Sequence, residues 1–156
     1  MTKLEAKIVG INPLWISALL TAAFLIVCAT GGDNVNWGYL GFEVIFPFYT
    51  AIAVGEWCRT RADQMFDVIS AQGKSIFLWI VRRFLLLFVT VTIFAVIGIL
   101  GTVIITKTAS VGELLLIFLP TAFFLSSVCI VLSLLSSVPH IPTMAAGVIW
   151  LFPLCP

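Results

Sequence analysis

Charge is what this sequence has least of. Lys and Arg number 8 and Asp and Glu 7, together 10% of 156 residues, whereas 62% of the chain is hydrophobic. A soluble domain carries about a quarter charged residues, so the composition and the mean hydropathy of +1.21 exclude an ordinary soluble fold. A formal net charge of +1 leaves no electrostatic footprint for nucleic acid, and none is expected as a partner. Histidine is nearly absent: His140 stands alone beside Pro139 and Pro142, which argues against a metal site built from clustered ligands. Cys28, Cys58, Cys129 and Cys155 show no CxxC spacing and are expected to be small apolar side chains, not disulfides.

What is present is apolar sequence in long runs, at 14–30, 39–54, 84–105, 114–135 and 143–156. A helix needs about 20 residues to cross a bilayer, so the second and last runs are short. With flanking turns the spans are placed at about 14–30, 39–55, 76–106, 113–135 and 142–156, four spans and part of a fifth. The expected fold is an all-α integral membrane protein, a polytopic helical bundle in one transmembrane domain. The first run is expected to be a permanent helix, because Cys28-Ala29-Thr30 makes a poor signal-peptide cleavage site. The last run ends at Leu154-Cys155-Pro156 with no polar flank, which reads as a C-terminally truncated span or a re-entrant segment. Pro47, Pro120 and Pro153 are expected to kink their helices.

Basic residues in short loops are retained on the cytoplasmic side. Lys3 and Lys7 precede the first span, and Arg59, Arg61, Lys74, Arg82 and Arg83 lie between the second and third, whereas 31–38 carries none. The N-terminus and the long loop are therefore expected in the cytoplasm of a multi-pass cell-membrane protein. Trp15, Trp57 and Trp79 then fall near the inner interface and Trp37 near the outer one, the levels that amphipathic rings prefer.

The segment GEWCRTRADQMFDVISAQGKSIFLWIVRR, 55–83, holds five of the eight basic residues and three of the seven acids. Within it Ala62, Met65, Phe66 and Ile69 recur at i, i+3, i+4 and i+7, one face of a helix, with Arg59, Asp63, Asp67 and Ser70 mostly off that stripe. Gly73 suits the left-handed position that closes such a helix, and Lys74-Ser75 restarts a second one leading into the third span. Arg82 and Arg83 are expected to snorkel to phosphate level. Two uses of the amphipathic helix compete: a stripe lying on the bilayer surface, or a docking knob tipped by Met65 and Phe66 in a groove of a cytoplasmic partner. Its mixed charges favour the groove. At the N-terminus, Thr2-Lys3-Leu4-Glu5 matches a capping box, and Leu4, Ile8 and Ile11 share a face, as in an interfacial approach helix.

An approach helix, two spans, a basic loop with a short helix and then further spans resemble permease subunits of type-2 ABC transporters. The loop carries the specific part, in Glu56, Arg59-Thr60, Phe66-Asp67-Val68-Ile69-Ser70 and Lys74, which is similar to the family's segment around its coupling helix. The resemblance implies an exporter subunit whose coupling loop, about 56–75, contacts a cytoplasmic ATP-binding cassette subunit. Met65, Phe66 and Ile69 would be packing anchors there, with Arg59, Arg61, Asp63 and Asp67 setting orientation. It also implies pairing with a second permease, a copy or a relative. No cofactor is expected on this chain, and ATP and Mg belong to the partner subunit. VISAQGKS, 68–75, ends like a phosphate loop, but Val68 stands where GxxxxGK[ST] needs its first glycine.

Glu43, within the outer half of a span, is expected to mark a pathway or a partner, or to be an interfacial residue within reach of water. Ser126, Ser127, Ser133, Thr90, Thr92, Thr102, Gly98 and Gly101 are expected to serve helix packing. An intramembrane enzyme calls for clustered acids and histidines, whereas Glu43 and Glu56 lie at opposite ends of one span; the chain is not expected to be an enzyme. The alternative to a permease is a non-transporting membrane scaffold or immunity-type protein.

Overall fold

The computed structural model describes residues 12–30, 36–57, 76–107, 110–136, 138 and 140–151. In these residues the regular structure is helical: α1 (Asn12–Thr30), α2 (Asn36–Leu40), a π-helical turn (Gly41–Ile45), α3 (Phe46–Trp57), α4 (Ile76–Thr106), α5 (Val111–Leu135) and α6 (Ile141–Leu151). Among the described residues four stretches are long and apolar enough to cross a membrane: Pro13–Thr30, Trp37–Glu56, Phe77–Thr106 and Val111–Leu135. Helices are the expected response of an open chain to hydrocarbon, where backbone N–H and C=O groups must be satisfied within the segment. The second stretch is longer than its uninterrupted apolar run, because α2, the π turn and α3 follow one another without a break. Helix α6 is apolar but shorter.

Helix α4 has 31 residues, about 46 Å of helix against a hydrocarbon core of about 30 Å. Its surplus length accommodates the first turns before Arg82 and Arg83. The helix closes at Lys107, which takes a left-handed φ of 54° and donates its N–H to the Val103 carbonyl at 2.9 Å.

The π turn has a local cause in Pro47. Proline has no N–H to give the Glu43 carbonyl four residues back, and its ring crowds that carbonyl. The helix widens instead, and the Phe46 N–H reaches five residues back to the Gly41 carbonyl, the π pattern. The sequence predicts a kink at Pro47; what the structure shows there is an added residue in one turn. Pro120 lies inside α5, which runs on to Leu135, and Pro153 lies outside the described residues.

Helix α3 packs most extensively on α5, α1 on α4, and α6 on both α5 and α3. Call the end of the bundle with Trp57 and Ile76 the loop end, and the other, with Thr30, Trp37 and Thr106, the far end. The far half is built around Phe24, Phe42 and Phe46, with Phe42 and Phe46 stacked at 4.8 Å and Phe24 set edge-on to them at 5.2 and 5.7 Å. Ala95, Ile99, Leu114, Phe118 and Ala122 enclose the rings. Glycines admit them: a Cβ on Gly41 would overlap the Phe24 ring, and one on Gly101 would come within 2.6 Å of Leu25. Gly98 faces Thr21 and Phe42, each at 3.3 Å from where its Cβ would stand, so both Gly98 and Gly101 sit in helix contacts. Toward the loop end the core is Ala51, Leu125, Cys129 and Ala146, with Val54 and Leu87 beside it.

Candidate functional site: the second span and the roots of the loop

Of the residues singled out from sequence, Arg59, Arg61, Asp63, Met65, Phe66, Asp67 and Ile69 lie outside the described residues, as do the N-terminal approach helix and Gly73. What the structure does describe is the loop's two roots, the end of α3 and the start of α4. They meet at one small buried cluster. Val54 and Leu87 are both fully buried where α3 meets α4, and Gly55 lets α6 approach, with the Thr143 methyl 3.3 Å from where a Cβ would be.

Glu56 is half-buried at this root and engaged, not free. On the α4 side the two arginines part company. Arg82 is exposed, as snorkelling requires, but Arg83 is only 7% exposed and its guanidinium lies 3.9 Å from the centroid of the Trp79 ring. The snorkelling expectation therefore fails for Arg83. Four residues apart on a helix, Trp79 and Arg83 share a face, and an arginine plane stacks on indole through cation–π attraction. The spacing was visible in the sequence as WIVRR.

Glu43 sits in the π turn at the other end of the span and is exposed, with Trp37 and Leu40 exposed along the same flank at i, i+3 and i+6. Thirteen residues separate it from Glu56, about 20 Å of helix, so the two carboxyl groups form no dyad. Glu113, at the start of α5, accepts a hydrogen bond from the Tyr39 hydroxyl at 3.2 Å. This joins the far ends of the second and fourth long helices. Among the described residues no three His, Cys, Asp or Glu side chains gather as metal ligands.

The hydroxyl residues mostly turn back on their own helices. Thr102 is fully buried, donates to the Gly98 carbonyl at 2.9 Å and sets its methyl 3.0 Å from the place of a Gly38 Cβ. Thr90, Ser127 and Ser133 bond carbonyls three or four residues back. Ser126 is fully buried and its hydroxyl has no hydrogen bond, nor has the Thr92 hydroxyl. Thr92 lines an apolar groove of about 330 Å³ along α4 with Phe88, Val89, Ile93, Val96 and Ile97. A polar knot missed in the sequence joins α1 to α3: Ser17 donates to the Pro13 carbonyl at 2.6 Å and meets the Tyr49 hydroxyl at 3.1 Å. Only the fold brings Ser17 and Tyr49 together, 32 positions apart.

No family model, curated protein or solved structure matches this chain.

Proposed function

We propose that the chain is a membrane-spanning permease subunit of an ATP-driven transporter of the type-2 ABC class, an exporter. The observation that carries this reading is the charged segment between the second and third long apolar helices, in a chain otherwise poor in charge. Its amphipathic stripe of Met65, Phe66 and Ile69, bordered by Arg59, Arg61, Asp63 and Asp67, offers apolar anchors and orienting charges to a cleft in a cytoplasmic ATPase. ATP and Mg would be held there and not on this chain. The burial of Val54 and Leu87 where α3 meets α4 supports the reading physically, because it couples the two helices that flank the loop. Closure of the ATPase would move the roots at Glu56 and Arg83 together, and with them α5. A second permease completes the path, and lipid covers the remaining apolar faces.

The test is affinity purification of the tagged full chain from its native membrane in mild detergent, beside a Phe66→Asp variant. An ATP-binding subunit should accompany the wild type and be lost with the variant, while Phe66→Ala leaves ATP hydrolysis running without transport. Absence of any ATPase from folded, abundant wild-type chain overturns the reading in favour of a scaffold. ATP-driven transport by Phe66→Ala at the wild-type rate overturns the anchoring role of Phe66.

A further inference from the structure

Glu43 is exposed on the protomer at a depth where lipid is a poor neighbour. Trp37 opens the apolar stretch Trp37–Glu56, and Glu43 lies six residues further in, about 9 Å down the helix axis. With Trp37, where that stretch begins, taken as the edge of a hydrocarbon core about 30 Å thick, the residue lies within one leaflet. A carboxylate at such a position is costly unless it faces the interior of an assembly and meets a compensating group. Within the protomer it faces outward, flanked by the exposed apolar side chains of Trp37 and Leu40, and among the described residues Glu43 has no hydrogen bond or ion pair.

The packing register indicates what can meet it. Gly38 lies level with Thr102, and Phe42 reaches Gly98, so α2 and the π turn run antiparallel to α4. Lys107 is five residues beyond Thr102 toward the far end, and Glu43 is five residues below Gly38, an axial separation of about 15 Å. The two side chains cannot bridge it. Arg82 and Arg83, the other cations among the described residues, belong to the opposite end of α4. A second copy related by a two-fold axis along the bilayer normal presents every residue at its own depth. Among the described residues it would therefore bring no cation to the level of Glu43.

We propose that the Trp37–Leu40–Glu43 flank docks a transmembrane helix of a different chain, one that carries an Arg or Lys in the corresponding half of its span. The inference rests on the reading above that this subunit works beside a second membrane subunit, and it makes that pair heteromeric. It does not depend on the ATPase contact: a copurifying ATPase with no partner helix on this flank sinks the inference alone, and the converse sinks only the ATPase contact.

The test places a photo-crosslinking phenylalanine analogue at Leu40 in the full chain, in its native membrane, with the cross-linked peptide mapped by mass spectrometry. The expected product is an apolar span of another chain, with Arg or Lys within one turn of the linked residue. Glu43→Lys should lower its yield by about tenfold or more through like-charge repulsion, Glu43→Gln should lower it less, and an acidic residue at the partner's basic position should restore the Glu43→Lys yield. Because Glu43 is exposed on the protomer, Glu43→Gln should leave the thermal stability of the purified chain unchanged, which separates lost docking from lost folding. Cross-links to lipid alone, to a second copy or to a span without a basic residue overturn the proposal. So does an undiminished yield with Glu43→Lys, or rapid labelling of Glu43→Cys by a membrane-impermeant maleimide.

Discussion

The two halves of the bundle solve the same packing problem in different ways. In the far half, three phenylalanine rings from α1, the π turn and α3 interlock, and glycines on facing helices make room for them. Toward the loop end small side chains, Ala51, Ala53, Gly55, Cys129 and Ala146, line the closest helix approaches, beside the larger Val54, Leu87 and Leu125 and the Phe84–Phe88–Phe123 ring contacts. Lipid tails are as apolar as leucine, so neither half gains from leaving the hydrocarbon, and both depend on dispersion contacts that require fit. The aromatic half is vulnerable to loss of volume, and the small-residue half to gain of it.

The sharpest way to break the comparison is at Phe42, which is fully buried between Phe24 and Phe46. Phe42→Ala should cost about 3–5 kcal/mol of stability through the cavity it leaves, measured by denaturant titration in micelles; a loss below about 1 kcal/mol would mean that the rings are not the keystone of that half. The converse change at the loop end is Ala51→Leu, where a fully buried methyl becomes a branched side chain against Leu125 and Cys129. Overpacking there should cost about 1–3 kcal/mol and loosen α6, read as faster cysteine labelling at position 146 in an Ala146→Cys background. The smallest effect should come from Arg83→Lys, which keeps the charge but gives up the planar stack on Trp79. About 1 kcal/mol is expected, and Trp79→Phe should match it if stacking, not charge alone, holds Arg83.

Much of this architecture was legible in residue order. Where the structure describes them the apolar runs lie in helices, Pro47 stands beside the π turn, and Gly98 and Gly101 lie in close helix contacts as expected. The candidate site was legible only in part. Glu43 and Glu56 could be placed at opposite ends of a span by counting, but the burial of Arg83 could not, because snorkelling and stacking ask for the same residue at the same helix end. The choice between them depends on whether Trp79 faces the bundle. Nor could the Ser17–Tyr49 contact or the Tyr39–Glu113 hydrogen bond be seen, since each joins residues from separate spans.

What the sequence determined alone is that the chain makes long helices, because its apolar stretches leave the backbone no partner in hydrocarbon except itself. Which side of each helix meets another was decided only by the tertiary structure. An amphipathic helix declares its buried face by a stripe, but these spans are apolar around their whole circumference, so polarity carries no direction. The inward faces were chosen by shape: where a ring found a glycine, where a methyl found a methyl, and where one missing N–H at Pro47 added a residue to the turn that carries Glu43.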